Sequence, residues 1–152
     1  MSQKGTARIG WTKIAANGVA LTNFTSPNVV ADLQTLNGTP YVATEVAGGT
    51  NYLIVDFTGV TAFNWVRLLA TYQGNSTHNV AVQIEIAPFD GSAWDTLNTC
   101  DHHTSAGMED YSFFIPDDSI YINGGVVNIK FNHSVSTVAN HTLEIDECSL
   151  YQ

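Results

Sequence analysis

From Asn51 to Gln152 apolar and polar residues alternate with period two in run after run, and clusters of Gly, Asn and Pro-Asp separate the runs. Such alternation marks antiparallel strands with one buried and one wet face. In Val80-Ala81-Val82-Gln83-Ile84-Glu85-Ile86 it predicts Val80, Val82, Ile84 and Ile86 inside, with Gln83 and Glu85 in water. In Asn51-Tyr52-Leu53-Ile54-Val55-Asp56-Phe57 it puts Leu53, Val55 and Phe57 inside and Asp56 out. Strands are predicted near 41–47, 51–58, 63–73, 79–88, 93–98, 111–115, 120–123, 125–133 and 141–150, the spacing of an all-β, two-sheet antiparallel jelly-roll sandwich. The same alternation selects a core of Leu53, Val55, Phe57, Val66, Leu68, Val82, Ile84, Phe113, Ile115, Val127, Ile129, Phe131, Leu143 and Ile145.

Two stretches depart from the simple pattern. Phe63-Asn64-Trp65-Val66-Arg67-Leu68-Leu69-Ala70-Thr71-Tyr72 is apolar on both faces and needs cover on both sides, from another segment or from a subunit interface. Residues 1–50 read as an N-terminal arm with leading strands ahead of a 51–152 sandwich, all within one compact domain. Arg8 to Ile14 alternates weakly and could add a strand to a neighbour's sheet edge or pack across the sandwich, and either way Trp11 needs a partner. Ser26-Pro27 followed by Val30, Leu33 and Asn37-Gly38 allows one short helix, against which the β-branched pair Val29-Val30 weighs.

At 152 residues with 44% apolar content, the chain is long enough for one domain with a real core. Only 12% of it is charged, against about 25% in an average soluble domain. Thr, Ser, Asn and Gln must therefore fill the surface, which suits a chain packed against copies of itself or another protein. Five basic residues stand against 14 acidic ones, a formal net charge of -9, so a nucleic-acid partner is disfavoured. Lys4, Arg8 and Lys13 nevertheless form a basic lead that could dock on an acidic partner. No apolar run reaches the roughly 18 residues of a membrane span, and no secretory signal is predicted. Cys100 and Cys148 read as reduced, buried thiols.

Candidate chemistry is sparse. Cys100-Asp101-His102-His103 carries metal-binding donor types, but adjacent residues do not easily converge on one ion, and no metal or cofactor is predicted. Pro116-Asp117-Asp118-Ser119 reads as a turn in which Asp caps backbone N–H groups, with a structural calcium on Asp117, Asp118 and Asp146 as the alternative. The pairs Glu109-Asp110, Asp117-Asp118 and Asp146-Glu147 do not announce a glycosidase, because neighbours on a strand point to opposite faces. No phosphate loop, nucleophile elbow or zinc-protease helix is present, and the chain is read as no enzyme. Trp94 is a candidate sugar-stacking platform, with His102 and His103 beside it in sequence as further glycan candidates. Against that stands packing of Trp94 over its own strand. Arg8, Trp11, Lys13, Trp65 and Leu69 are the candidates for partner contact.

Tyr72-Gln73-Gly74 leading to His78-Asn79-Val80-Ala81-Val82, then Trp94-Asp95-Thr96-Leu97, Phe113-Phe114-Ile115-Pro116 and His141-Thr142-Leu143-Glu144-Ile145-Asp146 make residues 51–152 resemble a family of modules. These are the jelly-roll modules of the galactose-binding-like and carbohydrate-binding type, as found in bacteriophage virion proteins. The chain departs from the discoidin-like branch in lacking cysteines at the two ends of the module. The resemblance implies a virion protein assembled in the host cytoplasm: a capsid decoration protein, a trimer or similar oligomer held on the major capsid protein by residues 1–50. The alternative it implies is a glycan- or receptor-binding module of a head fibre or tail.

Overall fold

The computed structural model describes residues 11–74, 79–87, 91–100, 108–136 and 140–152. Its strands are β1 (Lys13–Ala15), β2 (Gly18–Thr22), β3 (Phe24–Thr25), β4 (Tyr41–Glu45), β5 (Gly49–Phe57) and β6 (Trp65–Gln73). They continue with β7 (Val80–Glu85), β8 (Trp94–Cys100), β9 (Glu109–Phe114), β10 (Val127–Ser136) and β11 (Thr142–Tyr151). The first sheet runs β3-β4-β11-β6-β9, with β1 also on β11, and the second runs β2-β5-β10-β7-β8. Every pairing is antiparallel, so the chain is an all-β, two-sheet jelly-roll sandwich.

Period two works because one face of each strand packs against the other sheet. All the core residues predicted from alternation are buried. Around them pack residues that alternation did not select, notably Leu33, Tyr41, Phe63, Tyr72, Cys148 and Leu150. Cys100 and Cys148 are both buried free thiols, and burial pushes the Cys148 thiol well above its usual range.

Four expectations change. The predicted strand at 120–123 is instead a 3-10 turn, Asp118–Ile120, because Asp117 caps the Ser119 N–H at 3.2 Å and folds the chain before it can extend. The short helix shrinks to a single 3-10 turn, Val30–Leu33, whose Leu33 side chain is fully buried. Glu85 does face outward, but it is only 5% exposed: its Oε2 accepts from Asn128 Nδ2 at 2.8 Å and its Oε1 from Gly91 N at 3.2 Å. Ile86 falls outside the strand and is half-buried.

The leading segment contributes strands of its own. From Lys13 onward it is woven into both sheets: β1 and β4 pair with β11, β2 pairs with β5, and β3 pairs with β4. β4 falls within the strand predicted at 41–47, whereas β2 and β3 are too short and too irregular in sequence to read as strands and form on the open edges of β5 and β4.

Replacing Ile84, which is fully buried on β7, by Asp should abolish cooperative thermal unfolding. An unpaired buried charge costs several kcal/mol against a total stability of about 5–15 kcal/mol. A melting temperature within a few degrees of the wild type would contradict this account of the core.

Candidate functional site

The two sheets present different outer faces. On the first, β1, β11, β6 and β9 bring Lys13, Tyr151, Trp65 and Phe114 into one row. Trp65 packs between Trp11 and Phe114, each with ring centroids 5.4 Å away. Beyond it lies an ion network. Arg67 Nη2 meets Asp110 Oδ2 at 3.0 Å, Arg67 Nη1 meets Glu147 Oε2 at 3.4 Å, and Lys13 Nζ meets Glu147 Oε1 at 3.1 Å. Tyr151 donates its hydroxyl to Glu147 Oε1 at 2.8 Å, and Lys13 also donates to the carbonyl of Gln34. The two-faced strand of the sequence therefore finds part of its outer cover in its own chain. Trp11, Lys13 and Trp65 are engaged within the fold, Leu69 lies half-buried beside the Arg67 network, and Arg8 lies outside the described residues.

The second sheet is open and polar. Its register sets three rows of outward side chains across the strands. The first is Thr22, Tyr52, Asn132, Ala81 and Thr99, and the second Ala20, Ile54, Lys130, Gln83 and Thr96. The third holds Gly18, Asp56 and Asn128, then Glu85 and Trp94. Lys130 reaches from the middle row to two aromatic rings, with Nζ 4.0 Å from the Trp94 centroid and 5.9 Å from the Tyr52 centroid. Trp94 Nε1 donates to the Gly91 carbonyl at 3.3 Å, which ties the indole to the turn between β7 and β8. Gly18 keeps the third row flat, because a Cβ there would lie 2.3 Å from Asp56 Oδ1. Of the glycan candidates read from the sequence, Trp94 sits in this arrangement, while His102 and His103 lie outside the described residues. Sequence reading missed Tyr52 and Lys130; their outward parity was readable, but their meeting with Trp94 depends on pairing three strands distant in sequence.

A third group of polar residues lies inside, at the end of the sandwich. Glu45 on β4, Tyr72 on β6, His133 on β10 and His141 beside β11 converge. The Tyr72 hydroxyl donates to Glu45 Oε2 at 3.3 Å and lies 2.9 Å from His141 Nδ1, while His133 Nδ1 bonds Glu45 Oε1. Burial first, and then the Glu45 charge, push the Tyr72 phenol well above its usual range, so it remains a donor and not a base at neutral pH. The arrangement ties β4, β6 and β10 to the entry of β11 through hydrogen bonds.

The acidic residues proposed for calcium are spread out and used as caps. Asp117 accepts from Ser119, Asp118 Oδ2 accepts from Phe63 N at 2.8 Å, and Asp146 Oδ2 accepts from Gly38 N at 3.0 Å. Among the described residues no group of three or more His, Cys, Asp or Glu side chains is set to hold a metal ion.

No protein-family model and no curated protein matches this sequence. Solved structures do match its fold. A family 29 carbohydrate binding module from Piromyces equi superposes with a TM-score of 0.58 at 8% identity, over 94% of this chain and 91% of that one. A lysine-to-alanine mutant of a second family 29 module, complexed with cellulohexaose, gives 0.59 at 12% identity over 95% and 93% of the two chains. An aspartate-to-alanine mutant complexed with mannohexaose gives 0.54 at 14% identity over the same shares, 95% and 93%. At these identities the likeness is one of fold.

Raised phenols make the stability of the fold pH-dependent in alkali. The Tyr72 phenol is raised by burial, and that of Tyr121 is pushed up to about 12 by burial and by its hydrogen bond to Asp95, whereas unfolded tyrosines titrate near about 10. A raised folded value means stability that is complete below about pH 10 and declines as the pH climbs toward the folded values. Urea unfolding should therefore show stability falling from about pH 10 upward, with a shallower fall in Tyr121→Phe; identical slopes would remove Tyr121 from the account.

Proposed function

We propose that this chain is a non-catalytic glycan-binding module that lays a sugar chain along the outer face of its second sheet. The observation that carries the reading is the convergence of Trp94, Tyr52 and Lys130 on a face that also presents Asn128, Asn132, Gln83, Thr22, Thr96 and Thr99. A pyranose ring has an apolar C–H face, which stacks on an aromatic ring, and an equatorial rim of hydroxyls, which amide and hydroxyl side chains can meet. The two ring centres lie no further apart than 9.9 Å, the sum of their distances to Lys130 Nζ, within the reach of a short oligosaccharide. The cellulohexaose and mannohexaose complexes of proteins with this fold support an extended oligosaccharide as the class of ligand.

Capsid decoration is the weaker reading. It relied on a leading arm free to reach a partner, yet Trp11 stacks on Trp65 and Lys13 pairs with Glu147 inside the same chain.

Isothermal titration with cellohexaose, mannohexaose and xylohexaose tests the proposal. Trp94→Ala and Tyr52→Ala should each weaken the best ligand about tenfold or more, equivalent to roughly 1.4 kcal/mol, while the melting temperature stays near that of the wild type. Full affinity in both variants would show that the sugar binds elsewhere.

A further inference from the structure

The described basic residues differ in how they are neutralised. Lys13 and Arg67 both pair with Glu147 on the first sheet, and Arg67 also pairs with Asp110. Lys130 alone among the described basic residues lacks a carboxylate at ion-pair distance, and its ammonium rests on the Trp94 and Tyr52 rings. The acid whose charge acts on it, Glu85, has its two oxygens hydrogen-bonded by Asn128 Nδ2 and Gly91 N. Asp56 and Glu85 both belong to the row toward Gly18. On the other side, the row of Thr22, Tyr52, Asn132, Ala81 and Thr99 carries no carboxylate.

An ammonium held this way is incompletely compensated. Desolvation lowers the Lys130 pKa, and the Glu85 charge opposes that only in part. Placing an anion beside it returns a charge-assisted hydrogen bond in which both partners are ionised, adding charge attraction that a neutral hydroxyl does not supply. On a chain with net charge -9, a retained and unpaired cation in the middle of a candidate binding face is a local exception.

Building on the glycan-binding reading, we propose that the Trp94–Lys130–Tyr52 cluster is an anion-selecting subsite that takes a sugar ring bearing a carboxylate or a sulfate ester. The ring stacks on Trp94, the Lys130 ammonium swings off the indole onto the anionic group, and that group points toward Tyr52, Asn132 and Gln83, away from Asp56 and Glu85. Lys130 thus acts as a specificity-determining residue, and while no ligand is bound it covers the indole.

The test compares mannohexaose with hexamannuronate, which share linkage and ring configuration and differ by a carboxylate in place of each hydroxymethyl group. A sulfated hexasaccharide of the same backbone forms a third arm. Titrations use the full chain, its Lys130→Gln variant and its Trp94→Ala variant. The expected result is that at least one anionic hexamer binds the wild type about tenfold more tightly than mannohexaose, that Lys130→Gln erases this preference, and that Trp94→Ala weakens all ligands. Which anionic hexamer is preferred identifies the group. Equal or weaker binding of both anionic hexamers, or an anionic preference that survives in Lys130→Gln, overturns the proposal while leaving glycan binding standing. If no hexamer binds and Trp94→Ala changes nothing, glycan binding on this face fails and the subsite fails with it.

Discussion

The sandwich depends on β11. Along one edge it pairs with β6 over its whole length, from Thr142 opposite Gln73 to Tyr151 opposite Trp65. Its other edge is divided: β4 takes Thr142 to Ile145, and β1 takes Ser149 to Tyr151. Alternation cannot run unbroken through such a strand. The register slips between Ile145 and Glu147, leaving Asp146 as the extra residue. A bulge changes the parity of every side chain that follows it. It turns Cys148 and Leu150 into the core and Glu147 onto the outer face, where Lys13 and Arg67 meet it. The Asp146 carboxylate, freed from the ladder, holds the backbone N–H groups of Asn37 and Gly38 and so fixes the connection that leads into β4.

That dependence explains what the sequence could and could not reveal. Alternation located β5, β6, β7, β10 and β11, and all the core positions it nominated are buried, because burial against an opposing sheet acts on each strand locally. The short strands β2 and β3 carry no such signal. Gly18-Val19-Ala20-Leu21-Thr22 and Phe24-Thr25 become strands only because β5 and β4 present open ladders to them. Buried polar residues were equally invisible. Glu45 lies inside the predicted strand 41–47 with no sign in the sequence of what would neutralise it, and only its convergence with Tyr72 and His133 from distant strands makes its burial tolerable. Trp94 could be singled out from its place beside a turn, whereas Tyr52 and Lys130 look ordinary until the register of β5, β10, β7 and β8 is known.

The two outer faces divide the molecule's surface by the same logic. The first sheet uses its aromatic and charged side chains on one another: Trp11 lies on Trp65, and Glu147 gathers Lys13, Arg67 and Tyr151. Thr12 and Gln152 exchange backbone hydrogen bonds of 2.9 Å in both directions beside this face. On the second sheet amides and hydroxyls stand among the outward groups, Asp56 and Glu85 share one row, and one cation rests on rings instead of on an acid.

A low charge content takes on a different meaning in this light. At 12% charged residues the surface can be read as one made for packing against protein. A protein interface of that kind concentrates aromatic and apolar groups at its centre. The second sheet instead spreads uncharged hydrogen-bonding groups around two separated rings, with Ile54 and Ala20 as the aliphatic members of its middle row. Uncharged amides and hydroxyls suit a partner that is itself uncharged, apolar on its faces and hydroxylated on its rim, since neither side must shed a tightly held ionic hydration shell on contact. Against that background Lys130 is the residue whose hydration has already been partly removed by the fold. The cost of stripping water from the ammonium has been met in part before any ligand arrives, and the gain from an anion placed there is correspondingly larger than from the same anion at a fully solvated lysine.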